Sequence, residues 1–149
     1  MKKIFMLLML VVSLGLFAGD FSILNLDLDN GNYEDILAGK NNDITISIET
    51  ELLKEEGIPE IVCIYGVVDK GSFTDKKVYN VDINGKKVNF IYMEVFSDVL
   101  ITTKTEPIQI MKKESSVKFT ITDDKNKKFT TILNTNGFTK EYNKFMGVK

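Results

Sequence analysis

The 149-residue chain has no histidine and no tryptophan, and because all 19 of its basic residues are lysines it has no arginine either. Without an imidazole, Ser-His-Asp catalysis and His-ligated zinc or haem are excluded. Without a guanidinium there is no bidentate clamp for phosphate or carboxylate. One cysteine, Cys63, cannot form an internal disulfide, even in an oxidising compartment. What remains is ordinary: 44% apolar residues, 27% charged residues and a formal charge of −2, the balance of one globular domain.

The amino terminus carries the strongest signal. Met1-Lys2-Lys3 is a short basic start, and Ile4 to Ala18 follows without a charge. The run has the length of a signal-peptide core and falls short of the roughly 18 or more residues that span a bilayer. Ala18 and Gly19 are the small pair expected at a cleavage site, although Leu16 is bulkier than such a site prefers. A buried core helix or an uncleaved anchor is the competing reading. The pattern predicts residues 1–18 as a signal peptide, cut near Ala18/Gly19, and residues 19–149 as a single periplasmic or secreted domain. That domain keeps 17 lysines against 21 acids, a charge of −4. No cysteine follows the run, so lipid attachment at a mature amino-terminal cysteine is excluded.

The rest of the chain reads mainly as strands. Ile44, Ile46 and Ile48 alternate with Thr45, Ser47 and Glu49, the period-two pattern of a half-buried strand. Phe21 to Leu28 alternates more loosely, and Ile61 to Val68 is a continuous apolar run suited to a central strand. Lys77–Ile83, Asn84-Gly85 and Lys86–Tyr92 form the clearest local signal, because Asn-Gly accepts positive φ at both centres of a type I′ hairpin. Pairing Ile83 with Lys86 sets Val81 against Val88 and Tyr79 against Phe90, with all the large apolar side chains on one face. Val99–Thr103 predicts a short strand, Pro107 opens a helical turn over Ile108–Lys113, and Val117–Ile121 pairs with Phe129–Thr135 through an Asp123–Asn126 turn. Phe138, Tyr142 and Phe145 recur at helical spacing. The expected fold is all-β, a single-domain β-sandwich of about seven to nine mostly antiparallel strands with a short carboxy-terminal helix.

Candidate chemistry is sparse. Asp27 to Asp35 places alternate acids around Gly31 and resembles a cation loop, but the twelfth position is Ala38 where an EF-hand needs glutamate. A strand ending in an Asp/Asn/Gly turn explains the same residues. Acid–base catalysis needs two convergent carboxylates, and Asp82, Glu94 and Asp98 are the candidates, each near a turn or on a polar strand face. Cys63 reads as a packed, inert thiol. The lysine pairs at 76–77, 86–87, 112–113 and 127–128 read as solvated strand edges that deter sheet-to-sheet association, not as a nucleic-acid stripe. No catalytic, cofactor or metal residue is assigned.

Asp82-Ile83-Asn84-Gly85, the aromatic strand after it, Pro107–Met111, Val117–Thr122 and Phe129–Leu133 with Asn136-Gly137-Phe138 follow one another in an order that resembles the carboxy-terminal half of small exported bacterial proteins of the VasI type. It is similar also to the invasion-associated locus B proteins. The likeness covers about residues 81–145, and the chain departs from it where Tyr92 stands in place of a tryptophan and where paired cysteines are missing. The resemblance implies a β-sandwich with an accessory role in the envelope. The function expected is thus a non-catalytic envelope binding protein whose partner is another envelope protein. The alternatives are a secreted inhibitor or adhesin and a small carbohydrate-active enzyme using carboxylates.

Overall fold

The computed structural model describes residues 19–27, 33–96 and 98–147. The leader predicted for residues 1–18 lies outside them, as do residues 28–32 of the proposed cation loop. Nine strands form one antiparallel sheet: β1 (Phe21–Asp27), β2 (Tyr33–Asn41), β3 (Ile44–Glu49), β4 (Ile61–Tyr65), β5 (Val78–Ile83), β6 (Lys86–Met93), β7 (Val99–Thr102), β8 (Ser116–Thr122) and β9 (Lys128–Asn134). Their spatial order is β1-β2-β3-β4-β7-β6-β5-β8-β9. Two helices follow from the spacing noted above: α1 (Glu106–Lys113), with Pro107 in its first turn, and α2 (Phe138–Phe145). The fold class is therefore all-β with a carboxy-terminal helix, as expected.

The β5–β6 hairpin has the predicted register, with Ile83 opposite Lys86, Val81 opposite Val88 and Tyr79 opposite Phe90. Asn84 and Gly85 take φ of 51° and 90°, the two positive values that a type I′ turn demands. Asp82 stiffens the turn by accepting the Gly85 N–H at 2.8 Å. The inward side chains Tyr79, Val81, Ile83, Val88, Phe90 and Tyr92 all join the main core.

That core draws one face of every strand together, so the sheet curls over its own apolar side. The end of β2 meets the outer strand β9 across the gap. Asn41 Nδ2 donates to the Ile132 carbonyl at 2.6 Å, and Thr131 Oγ1 donates to the Asn41 carbonyl at 3.1 Å. Helix α2 packs against β1 and β2, and its Phe138 ring meets Phe21 edge-on at 5.0 Å. Phe90, Phe119 and Phe138 are fully buried, each worth about 1.5–3 kcal/mol of transfer free energy.

The opposite sheet face divides in two. On β1–β4 and β7 it is a second apolar cluster that includes Leu26, Ile36, Ile61, Cys63 and Val99. Thr45, Ser47 and Glu49 belong to this face and are buried, so β3 is covered on both sides instead of half-buried. On β5, β6, β8 and β9 the same face is mainly polar and open, although Ile91 and Met93 pack against the second cluster and Val78 and Ile132 are exposed. Strand β2 had no counterpart in the sequence reading. Its Glu34, Asp35, Gly39 and Lys40 suit strands poorly, and pairing with β1 and β3 on either side makes it one.

Candidate functional site

The open polar face forms a cleft of about 500 Å³ across β6, β5, β8 and β9. Strand register builds its floor. Asp82 stands between Lys87 and Thr120, and Thr120 in turn stands opposite Thr130. Lys118 lies two positions before Thr120 on β8, and Lys128 pairs with Thr122 at the other end. The lining therefore carries three lysines against one aspartate, among asparagines and threonines. Lys87 binds Asp82 at 3.2 Å and Lys118 acts on the same carboxylate, so lysines outnumber acids in the lining by two. The Gly85 N–H, and then Lys87, hold the Asp82 carboxyl below its ordinary range.

Turn chemistry fixes both ends of this cleft. Asn84 reaches across to β8, donating from Nδ2 to the Ser116 carbonyl at 3.1 Å and accepting the Lys118 N–H at 2.7 Å. Asp123 does more than turn the chain. Its Oδ1 accepts the Lys125 and Lys127 N–H groups, both at 2.8 Å, and its Oδ2 accepts the Ser72 N–H at 2.8 Å. Asp124 accepts from Thr74 Oγ1 and Tyr79 OH and pairs with Lys77. The Ser72–Lys77 segment is thereby tied to the β8–β9 turn. The Ser72 N–H chiefly holds Asp123 below the usual carboxylate range, and Lys77 does so for Asp124. These roles depend on partners some 50 positions away, which composition cannot reveal.

Glu94 and Asp98 adjoin the Met93–Val99 pair and lie together near Tyr92, but Asp82 does not converge with them. Glu94 lies seven positions beyond Lys87, the partner of Asp82, so at ~3.4 Å per residue Asp82 and Glu94 are more than about 20 Å apart. Glycoside hydrolysis by paired carboxylates needs about 5–10 Å. Glu94 opens a 3-10 turn, Glu94–Phe96, and its N–H donates to Asp75 Oδ1 at 3.0 Å. Asp98 accepts the Tyr92 hydroxyl at 2.8 Å, and burial with that carboxylate pushes the phenol up.

A buried polar group sits beneath the second cluster. Glu49 Oε2 accepts Ser47 Oγ at 2.7 Å and Tyr65 OH at 2.8 Å. Cys63, opposite Ser47, is fully buried, and burial followed by the nearby Glu49 carboxylate pushes its thiol well up. It is a packed, protonated thiol. Glu34 is 7% exposed, and burial first, then Glu49 and Glu51, pushes it up to about 7. Of the cation loop, Asp35 accepts Asn25 Nδ2 at 2.8 Å across the β1–β2 pair.

All eight lysines of the four lysine pairs are exposed, and one member of each pair also makes a specific contact. Lys77 and Lys87 form the ion pairs above, Lys112 lies over the Tyr142 ring at 4.1 Å, and Lys127 lies over the Phe129 ring at 5.0 Å. Among the described residues no group of three or more Cys, Asp or Glu is placed to hold a metal ion, and no helix is long and apolar enough to cross a membrane. No family model, curated protein or solved structure matches this chain.

Proposed function

We propose that this chain is an exported, non-catalytic binding protein of the cell envelope, and that it engages an acidic surface of another envelope protein through the polar cleft on β5, β6, β8 and β9. The observation that carries this reading is the convergence of Lys87, Lys118 and Lys128 from three strands onto one face of a chain whose mature net charge is −4. Charge segregated in this way steers an acidic partner and fixes its register. The floor of Thr120, Thr122, Thr130 and Asn80 adds donors and acceptors on rigid strands, where little side-chain entropy is lost on binding. The basic start with its apolar run supports export, and the resemblance of residues 81–145 to VasI-type proteins points to the same compartment and role.

Capture from an envelope fraction tests the reading. The wild-type domain should retain a partner at low salt and release it as ionic strength rises past the range where the Debye length falls to about 8 Å. The combined Lys87→Glu, Lys118→Glu and Lys128→Glu variant should retain none while still unfolding cooperatively, at a somewhat lower temperature because the Lys87–Asp82 pair is lost. Equal capture by this variant would rule the cleft out as the binding face.

A further inference from the structure

The open face of β5, β6, β8 and β9 carries apolar side chains at two of its corners. Among the described residues four large apolar side chains stand exposed, and two of them, Val78 (53%) and Ile132 (50%), lie on this face. Val78 is the more informative, because its pairs lead into the second apolar cluster. It stands opposite Ile91, Ile91 opposite Ile101, and Ile101 opposite Cys63, so one row crosses four strands on a single face. At the Cys63 end the row is fully buried, and at the Val78 end it comes out into solvent. There Val78, Ile91 and Ile101 line an open, mainly apolar groove of about 150 Å³, with the exposed Lys104 also in its lining. A cavity of about 150 Å³ holds one benzene ring, so the groove has room for one large apolar side chain.

This groove and the basic cleft follow one another along the same strands. Val78 is succeeded on this face by Asn80 and Asp82, which stand opposite Asn89 and Lys87. At ~3.4 Å per residue, the Asp82–Lys87 pair lies about 14 Å along the sheet from the Val78–Ile91 pair. Lys128, opposite Thr122, falls about 7 Å short of that pair, and Lys118, bonded to Asn84, about 7 Å beyond it. We propose that groove and cleft together take one extended acidic segment of a partner protein, anchored by a single large apolar side chain seated beside Val78. The inference rests on the cleft reading above and names what the cleft recognises. An extended segment fits because its side chains return to one face every two residues, the period of the floor beneath it. With its apolar residue in the groove, acids two and six positions on come level with Lys128 and Lys118. The residue four positions on meets the Lys87–Asp82 ion pair, where an uncharged side chain is favoured. A helix, rising 1.5 Å per residue, would need about nine residues to reach that pair and would turn most of them away from the floor. One apolar anchor in a pocket with polar groups around it is also the arrangement that concentrates binding energy in few residues.

Fluorescence anisotropy at low salt with two labelled heptapeptides tests the joint use of groove and cleft. The first has leucine at its first position, glutamate at the third and seventh, and threonine elsewhere; the second has serine in place of leucine. The wild-type protein should bind the leucine peptide at least about five-fold more tightly. Val78→Ser should abolish that preference and leave the affinity for the serine peptide unchanged. Val95→Ser, at a more exposed valine outside both linings, should change neither affinity. Equal affinities on the wild type, or a preference that survives Val78→Ser or is lost as fully in Val95→Ser, would overturn the anchor and leave the basic cleft standing. A wild-type dimer that Val78→Ser dissociates would overturn it too, because the groove would then belong to a second copy of this chain. Undiminished binding of both peptides by the combined lysine-to-glutamate variant, or no binding of either by the wild type at millimolar peptide, would overturn the cleft reading itself.

Discussion

The two arms of the sheet are made of the same backbone and share one core, yet they differ on their second face. Strands β3, β4 and β7 are buried along their whole length, and β1 and β2 bury most of theirs. Strands β5, β6, β8 and β9 alternate buried and exposed positions. The first arm reads Ile-Val-Cys-Ile-Tyr along β4, and the second reads Val-Lys-Phe-Thr-Ile along β8. The difference teaches where each kind of arm spends its polar residues. A doubly buried arm must pair every polar group internally, as Ser47, Glu49 and Tyr65 do. A half-buried arm can present lysine, asparagine and threonine to a partner without loss of stability.

The sharpest way to break this contrast is to truncate matched positions on the second face. Ile36→Ala should cost about 2–5 kcal/mol in urea unfolding because it leaves a cavity at a fully buried site, whereas Thr130→Ala on the open arm should change stability by less than about 0.5 kcal/mol. Equal small losses would mean the two arms do not differ.

Next in size is the buried carboxyl of the first arm. Glu34 is raised from 4.5 to about 7, so the neutral form is favoured in the fold; its contribution is fully present below pH 4.5 and is lost as pH rises through 7. Glu34→Gln should therefore leave stability near pH 4 unchanged and raise it at pH 8 by about 1–2 kcal/mol, the shift being discounted for residual solvent screening. No gain at pH 8 would show that this end of the first arm is wet.

The open arm should show the reverse dependence. Asp123 is held below 3.8 by backbone N–H groups, so its contribution is present above that value and fades as pH falls through the lower folded one. Asp123→Asn should lower the melting temperature by several degrees at pH 7, and the variant and wild-type curves should draw together as pH falls below 3.8. The smallest stability effect belongs to Lys118→Glu and Lys128→Glu, expected within about 0.5 kcal/mol of wild type, although binding is lost.

Particular elements show how much was legible beforehand. The β5–β6 hairpin was readable to the residue because turn chemistry and burial alternation lie within 16 consecutive positions and agree. The aromatic stripe of α2 was readable for the same reason. Strand β2 was not, because its acids and glycine oppose strand propensity and only its two neighbours enforce it. Thr45, Ser47 and Glu49 misled in the other direction: polar alternation signals a solvated face unless another layer covers it, and nothing local reports that layer. The cleft was legible only in fragments, as lysines near turns.

The absent residue types were settled by sequence alone: without histidine or arginine, whole classes of chemistry were closed whatever the fold. Local periodicity likewise decided the strands other than β2, the type I′ turn and the terminal helix, since these depend on neighbours within one or two turns of chain. Tertiary structure decided the rest. It separated Asp82 from Glu94, tied Asp123 to Ser72, buried Glu49 and gathered Lys87, Lys118 and Lys128 on one face. Each of those outcomes rests on strand order and sheet curvature, which bring together residues that no local pattern relates.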